Sequence, residues 1–421
     1  MGKKIKILWF CNAIFSDQAP KSTGTWLHAM ADGLVNTGEV ELFNITQAKI
    51  KNTIRQDYNS ICQWMVPSVS NKSIRNGLPK LSIIRYIQSI VRDINPDIIH
   101  IWGTESYWGL LTARGYLNGN VVLETQGLIS AIEKHVYSGL SLRDILNCCG
   151  VKEVLLPKSS LFGKKRAFQR WGKREKEIIS ENHIISTQSS WVRAHIQRLN
   201  PSAKVYKTFI PLRTEFLEAE KWKLENCLKH QIFTTASTTT PYKGLHVLID
   251  AIAILKNQYP DIKLVIAGVI KKTGIREAGY TKWLKQRVKR LGVAENIIWL
   301  EPLDAKDLVL QMHKASVVVV PSFIESYSLA LDEALSVGSP TVASFSGAMP
   351  ELATDGASAL FFPPGDAVMC ADAIVRIFSD NDLAKNLSHN AYMERKEKNS
   401  RNIAAHQLSI YRDVIDSQGL N

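Results

Sequence analysis

The 421-residue chain has no run of about 18 apolar residues, so no segment is predicted to cross a bilayer as a helix. Lysines at positions 3, 4 and 6 precede the apolar run Ile7–Cys11, an arrangement that imitates a signal peptide. The run breaks at Asn12 and lacks the small residues of a cleavage site, so a buried first strand explains it better. We therefore expect a cytoplasmic protein.

Cysteine is scarce and has no framework spacing. The six cysteines lie at positions 11, 62, 148, 149, 227 and 370. The adjacent Cys148 and Cys149 have no matching pair, which argues against a zinc site. No Asp-x-Asp or His/Cys cluster stands in a fitting context either. The sequence thus predicts reduced thiols and no bound metal.

The formal charge of +13 is unevenly placed, because residues 1–207 hold 28 basic and 15 acidic side chains, whereas residues 208–421 hold 24 of each. The segment Leu161–Arg174 interleaves apolar and basic residues. Such a basic amphipathic helix can lie on an anionic membrane. A solvated basic face is the alternative. Nucleic acid is not expected as a partner, because no nucleic-acid-binding motif is recognisable.

Strand-like apolar runs alternate with helical patterns throughout, which predicts α/β architecture with parallel sheets and crossover helices. The length suits two domains of roughly 200 residues, with a hinge near Ile210–Leu212. The predicted strands are Ile5–Phe10, Val40–Ile45, Asp97–Trp102, Val121–Thr125, Ile184–Thr187, Lys204–Phe209, Gln231–Thr235, Lys263–Ala267, Ile297–Leu300, Ser316–Val320, Thr341–Ala343 and Ala359–Phe361.

The most informative stretch is Pro321–Gly338, which follows the apolar strand Ser316–Val320 and continues into a helical pattern that ends at a glycine. Two glutamates, Glu325 and Glu333, stand eight residues apart within it. At the start of the predicted helix, the backbone N–H groups of Ser328, Leu329 and Ala330 are suited to bind phosphate.

Carboxylates do not bind phosphate but accept hydrogen bonds from sugar hydroxyls. Phosphate flanked by two sugars describes a nucleotide sugar. A second loop supports this interpretation, because Lys243 precedes Gly244 at the start of another helix and can pair with a diphosphate.

Pro321–Gly338 resembles the E-x7-E motif of the retaining glycosyltransferases of family 4, the group 1 transferases with the GT-B fold. The following SPTVAS (residues 339–344) and GAMPE (residues 347–351) are similar to the family's GTPVVAS and GG-x-PE. The resemblance covers about residues 233–364 well and the first half more loosely. It implies two Rossmann-like domains with parallel sheets facing a central cleft.

The resemblance also implies roles for individual residues. Glu325 would contact the donor sugar and Glu333 the ribose. Lys243 matches the lysine of the family's R-x4-K pair, but Thr238 stands where the arginine is expected. Gln126 stands where many members have histidine, with His100 and Glu105 nearby as alternatives, although a core role is the better interpretation of His100.

Gly24, in the loop after the first strand, matches a glycine-rich loop that faces the donor phosphates, although an ordinary turn fits it equally well. The domains implied are an acceptor-binding domain over residues 1–210, completed by a helix at 400–421, and a nucleotide-sugar-binding domain over residues 211–399.

The function expected is that of a metal-independent hexosyltransferase that retains configuration. It would move a sugar from a UDP- or GDP-sugar to a glycan or lipid-linked acceptor. The expected setting is bacterial surface-polysaccharide biosynthesis, at the inner face of the cytoplasmic membrane. Two alternatives stay open: another GT-B enzyme, such as a sugar-nucleotide epimerase or a glycogen-synthase-like polymerase, and a catalytically silent GT-B subunit that binds a partner. Thr238 and Gln126 are the residues that keep the second alternative open.

Overall fold

A computed structural model describes residues 3–16, 25–69, 76–268, 277–399 and 402–418. The chain divides into two compact units. Unit 1 consists of residues 1–130, 171–211 and 401–421, and unit 2 consists of residues 131–170 and 212–400.

The strands in chain order are β1 Ile5–Phe10, β2 Val40–Ala48, β3 Ile54–Tyr58, β4 Ile61–Pro67, β5 Ile98–Trp102, β6 Val121–Thr125, β7 Ile184–Thr187, β8 Lys204–Lys207, β9 Leu228–Thr234, β10 Lys263–Ile266, β11 Ile297–Trp299, β12 Ala315–Val320, β13 Thr341–Ser344 and β14 Leu360–Phe362.

The α-helices are α1 Thr25–Asn36, α2 Leu81–Ile94, α3 Trp108–Ala113, α4 Ile129–Ile132, α5 Leu142–Asn147, α6 Val151–Leu155, α7 Leu161–Glu181, α8 Ser190–Leu199, α9 Thr214–Leu217, α10 Leu245–Leu255, α11 Gly279–Arg290, α12 Ala305–Lys314, α13 Leu329–Val337, α14 Ala367–Ser379, α15 Asn381–Asn399 and α16 Ile403–Gln418.

The sheet of unit 1 has the order β3-β4-β2-β1-β5-β6-β7-β8, and only the β3–β4 pair is antiparallel. These two strands were not predicted. Their turn is formed by Asn59 and Ser60, both with positive φ, and Tyr58 pairs with Ile61 across it. A two-residue turn of this kind suits a hairpin, since it matches the twist of the flanking strands. The sequence of β3, IRQDY, is mostly polar and lacks the apolar pattern that predicts a strand.

The sheet of unit 2 is parallel and has the order β11-β10-β9-β12-β13-β14. All six strands predicted in the second half are present, with small differences at their ends. The order is that of a doubly wound sheet, which reverses direction between β9 and β12. Ligands bind such sheets outside the carboxyl ends of the strands at this reversal.

Both faces of the unit 2 sheet are covered by helices, which explains why the central strand β12, with the sequence ASVVVV, is apolar along most of its length. Val317 and Val319 contribute to one buried cluster with helix α10, whereas Val318 contributes to a second cluster with α12. Eight of the eleven residues of α10 are buried. The packed core holds the ends of β9 and β12 in fixed positions.

Residues 131–170 group with unit 2, whereas the sequence placed them in a continuous N-terminal domain. Buried Glu153 explains the difference, because its carboxylate accepts the N–H of Gly279 at 3.1 Å. A side chain at position 279 would meet the carbonyl oxygen of Cys148 at 1.7 Å, so this approach requires glycine. Trp283 also donates to Asp144, at 3.2 Å.

This grouping changes the charge distribution between the units. Residues 131–170 carry eight basic and three acidic side chains, whereas residues 212–400 carry 22 of each. Unit 2 therefore has a net positive charge, which comes from residues 131–170. The charge count over the second half of the chain had indicated a neutral unit.

Helix α16 belongs to unit 1. Its Tyr411 hydroxyl lies 2.6 Å from Nδ1 of His100 and accepts a hydrogen bond from the Trp9 indole at 3.3 Å. His100 is fully buried, and burial lowers its pKa well below the usual value. His100 is thus a neutral core residue that anchors the last helix.

All six cysteines are thiols. Within the described ranges of the chain, no helix has the length and apolarity needed to cross a bilayer.

A buried ion pair ties α13 to α15. The guanidinium of Arg395 lies 2.6 Å from the carboxylate of Asp332, and both side chains are about 5% exposed. Tyr327 donates a short hydrogen bond to the same carboxylate. Because Asp332 lies between the two glutamates of Pro321–Gly338, this pair holds the candidate site in place.

Replacing Arg395 with Met is expected to lower the free energy of unfolding by about 3–5 kcal/mol, because it leaves the buried Asp332 charge uncompensated. Urea unfolding measures the change. Lys385→Met is the matched control, since Lys385 lies on the same helix in an exposed 3.9 Å pair with Asp382. Its loss is expected to cost less than about 1 kcal/mol. Equal losses for the two variants would contradict a structural role for the buried pair.

Candidate functional site

The candidate site lies at the carboxyl edge of the unit 2 sheet, where the strand order reverses. The loop after β9 carries Lys243, and the loop after β12 carries Glu325. Because β9 and β12 are neighbours in the sheet, their loops emerge side by side.

Lys243 and Glu325 form an ion pair, with 2.6 Å between Nζ and Oε1. A close approach of the two loops makes the pair possible: Phe323 N–H donates to the Tyr242 carbonyl at 2.8 Å. Gly244 has φ +72°, and a Cβ there would lie 1.8 Å from the Pro321 carbonyl oxygen. Any other residue at position 244 would push the loops apart.

The pKa of Lys243 is raised in this environment. Burial lowers it, but the charge of Glu325 and the hydrogen bond to it outweigh that effect. Lys243 is therefore a cation held beside a carboxylate, while 31% of its side chain remains exposed. An anionic ligand can reach it.

The GAMPE loop supports the backbone of Glu325 from behind. Ala348 N–H donates to the Glu325 carbonyl at 2.9 Å. Gly347 has φ +54°, and a Cβ there would lie 2.1 Å from the same oxygen. Glu351 is exposed at the end of a short 3-10 turn. This loop therefore fixes the position of the Glu325 backbone, from which the side chain extends.

Helix α13 begins beside this pair. Ser328 is its N-cap, and its hydroxyl accepts the N–H of Leu331 at 3.3 Å. The N–H groups of Leu329 and Ala330, in the first turn, have no carbonyl partner within the helix. Both residues are half-buried, so these donors lie near the surface. The helix start adds a positive field next to Lys243.

Glu333 pairs with Arg213, at 2.7 Å between Nη2 and Oε1. Burial raises the pKa of Glu333 more than the charge and hydrogen bond of Arg213 lower it. The Arg213 guanidinium also lies over the Phe216 ring, 4.8 Å from its centroid. Sequence reasoning did not assign Arg213 to the site.

Thr238, which replaces the expected arginine, is 4% exposed. Its carbonyl accepts the Thr281 hydroxyl at 2.7 Å. Its buried side chain offers nothing to a ligand. The described residues of unit 2 thus bring together two cation–carboxylate pairs, Lys243–Glu325 and Arg213–Glu333, around the start of α13.

Gln126 lies in unit 1, after β6, close to Glu105 in the loop after β5. The glycine between them makes room: a Cβ at Gly103, where φ is +96°, would lie 2.1 Å from Glu105 Oε2 and 3.5 Å from the Gln126 amide carbon. A Cβ at Gly127 would lie 3.4 Å from Glu105 Oε1. These two polar side chains form a small cluster at the carboxyl edge of the unit 1 sheet.

Glu105 is open to solvent on one side, yet the surrounding protein raises its pKa to about 7, chiefly by desolvation, and the Glu175 charge adds to the shift. Glu175 is buried and accepts hydrogen bonds from the Thr104 hydroxyl and the N–H groups of Ile129 and Ser130. Glu105 is a carboxyl group that can accept and release a proton, which the Gln126 amide cannot do. Gly24 lies outside the described residues.

Residues 217–394 match the family model of the glycosyl transferases group 1. A D-inositol 3-phosphate glycosyltransferase from Corynebacterium urealyticum is 28% identical over 224 residues, which are 53% of this chain and 52% of that protein. The chain thus spans about half the length of this relative.

Solved structures are similar over nearly the whole chain. Sucrose-phosphate synthase from Thermosynechococcus elongatus has a TM-score of 0.72 at 16% identity, covering 98% of this chain and 100% of that one. Anabaena Alr3699/HepE, solved in complex with UDP-glucose, has a TM-score of 0.63 at 14% identity, covering 99% and 100%. These similarities establish the architecture predicted from the sequence. Residues 217–394 therefore belong to the group 1 glycosyltransferases, and the chain has the GT-B fold.

Proposed function

We propose that the protein is a retaining family 4 glycosyltransferase that moves a sugar from a nucleotide diphosphate sugar to a glycan or lipid-linked acceptor. The observation that carries the proposal is the Lys243–Glu325 ion pair beside the start of α13. It places a cation, a carboxylate and free helix donors where doubly wound sheets bind nucleotides. The UDP-glucose bound to Alr3699/HepE supports a donor of this class, UDP- or GDP-linked.

In the free protein, Glu325 neutralises Lys243. A donor diphosphate would compete for the Lys243 ammonium and for the N–H groups of Leu329 and Ala330. Glu325 would then be released to accept hydrogen bonds from hydroxyls of the transferred sugar. One exchange of partners thus couples phosphate binding to sugar recognition.

Glu333 would accept the ribose hydroxyls in the same way. Arg213, held by Glu333 at 2.7 Å, would supply the second cation that Thr238 does not provide. Because it approaches from the loop before α9 and not from the loop after β9, its position relative to the phosphates would differ from that of the family arginine.

The reaction breaks the bond between the sugar C1 and the diphosphate oxygen and forms a bond between C1 and the acceptor oxygen on the same face. The acceptor proton passes to the leaving phosphate oxygen. Lys243 and the start of α13 would stabilise the charge that develops on the diphosphate. In unit 1, Gln126 is proposed to hydrogen-bond a hydroxyl of the reacting sugar.

The proposed setting is surface-polysaccharide assembly at the inner face of the cytoplasmic membrane. Three of the six basic residues between positions 164 and 174 are engaged within the protein. Lys164 donates to the Thr239 carbonyl at 2.8 Å, Lys165 donates to the Glu133 carbonyl, and Arg174 lies over the Trp171 ring. The exposed basic residues between positions 164 and 174 are therefore Arg166, Arg170 and Lys173, which make a weaker membrane contact than six free cations.

Lys243→Ala is expected to weaken binding of the nucleotide diphosphate by about 10- to 100-fold, because a charge-assisted contact of about 1.5–3 kcal/mol is lost. Calorimetry with UDP and GDP measures the change. Lys263→Ala is the control, since Lys263 is an exposed lysine of the same unit whose ammonium donates a hydrogen bond to the Glu295 carbonyl. Lys243→Arg should restore part of the affinity. Unchanged affinity in Lys243→Ala would mean that the phosphates bind elsewhere.

The two glutamates are expected to separate binding from turnover. Glu333→Ala should weaken affinity for the free nucleotide, since ribose contacts are lost, whereas Glu325→Gln should not weaken that affinity, because the competing carboxylate is removed, but should lose turnover of the donor sugar. Donor hydrolysis and calorimetry on both variants test this. A Glu325→Gln enzyme with the turnover of wild type would remove its catalytic role. Absence of any donor turnover in the wild type, with tight nucleotide binding, would favour the silent-subunit alternative.

Turnover is expected to survive EDTA, because Lys243, Arg213 and the start of α13 would supply the positive charge that the leaving diphosphate requires. The measurement is the initial rate with and without chelator. Loss of activity with EDTA, reversed by Mg²⁺ or Mn²⁺, would contradict a metal-independent reaction.

A further inference from the structure

Unit 2 exposes a dense set of aliphatic side chains on α5, α6 and the residue that follows. Val154 and Leu155 are 70% and 69% exposed, and Leu142 is 66% exposed. The whole set, here called the aliphatic surface, is Leu142, Leu146, Val151, Val154, Leu155 and Leu156. Exposed apolar clusters of this kind mark interaction sites.

Helical spacing shows that these side chains share the outward side of their helices. Leu142 and Leu146 are four residues apart on α5, and Ile145 between them is buried. On α6, Val151, Val154 and Leu155 have i, i+3, i+4 spacing, whereas Glu153 is buried. The polar side of α6 therefore faces the protein and its apolar side faces solvent, the reverse of an ordinary surface helix.

Acidic and basic side chains between positions 141 and 170 also differ in their exposure. The two acidic residues between positions 141 and 170 are both hydrogen-bonded within the protein: Asp144 accepts from Trp283 and from the Ser141 hydroxyl, and Glu153 accepts the N–H groups of Gly150 and Gly279. The exposed charged residues between positions 141 and 170 are all basic, namely Arg143, Lys158, Arg166 and Arg170. These four residues are here called the cationic border.

This combination selects one kind of partner. A second copy of the chain would bring two cationic borders together, which is repulsive. Single-stranded nucleic acid needs aromatic side chains for stacking, and the aliphatic surface has none. An anionic bilayer satisfies both parts, since aliphatic side chains enter the interface while Lys and Arg hold the headgroups.

We propose that the aliphatic surface, with its border of Arg143, Lys158, Arg166 and Arg170, docks the protein on anionic lipid. The inference deepens the membrane setting of the proposed function. In this proposal the membrane contact is made by the aliphatic side chains of unit 2, which enter the lipid interface, and not by the basic helix alone.

The test uses the full-length protein and sedimentation with phosphatidylcholine vesicles that contain or lack phosphatidylglycerol. In the aliphatic variant, Leu142, Leu146, Val154 and Leu155 are replaced with Gln. Its partition onto anionic vesicles is expected to fall by about tenfold or more, because the inserted apolar area is lost. Its residual binding should vanish with added salt, since only charge remains.

The matched control replaces four other exposed apolar residues of unit 2 with Gln, namely Leu228, Leu310, Val368 and Met393. It should bind vesicles like the wild type. A third variant, with Arg143, Lys158, Arg166 and Arg170 changed to Gln, should bind anionic and neutral vesicles equally weakly. Equal binding by the aliphatic variant and the wild type would overturn the proposal.

Self-association is measured separately by sedimentation velocity. A wild-type dimer that the aliphatic variant abolishes, without vesicle binding, would overturn lipid docking in favour of a second copy. UDP and GDP affinity, measured in all variants without lipid, keeps the two proposals apart. A wild type that binds nucleotide but no vesicles defeats the docking surface and leaves the donor site standing.

Discussion

The close approach of the loops after β9 and β12 is the constraint on which the candidate site depends. Adjacent parallel strands whose crossovers run in opposite directions leave a gap at their carboxyl ends. In this chain that gap contains a cation and a carboxylate 2.6 Å apart. Two glycines permit it. Gly244 lets the first loop pass the Pro321 carbonyl, and Gly347 lets the loop after β13 pass the Glu325 carbonyl.

Pairing of opposite charges solves a second problem. A half-buried lysine and two half-buried glutamates would each be costly if left alone. In the pairs Lys243–Glu325 and Arg213–Glu333 each of these groups has a partner of opposite charge. The Asp332–Arg395 pair is different in kind, since it is almost fully buried and holds α13 in place.

The segment 131–170 gives unit 2 its net positive charge and its exposed aliphatic surface. It is bound to α11 through Glu153 and Asp144, so two of its three carboxylates are hydrogen-bonded within the protein. The aliphatic surface and four basic residues, Arg143, Lys158, Arg166 and Arg170, are exposed. Net charge counted along the chain placed the positive excess in the N-terminal half, but in space much of it belongs to the C-terminal unit.

The sequence alone determined the alternation of strands and helices, the six strands of unit 2 and the segment with Glu325 and Glu333, because hydrophobic period and helix-start chemistry are local properties. It missed β3, since a polar edge strand lacks the apolar run that marks a buried one. It also missed the neighbouring β4, although the sequence ICQWMVP of that strand is largely apolar. Only the tertiary structure decided which charges meet. Arg213 and Glu333 are 120 residues apart in the chain, and the raised pKa of Glu105 arises from groups brought around it by folding. Long-range pairing and desolvation depend on packing in three dimensions, which no local pattern records.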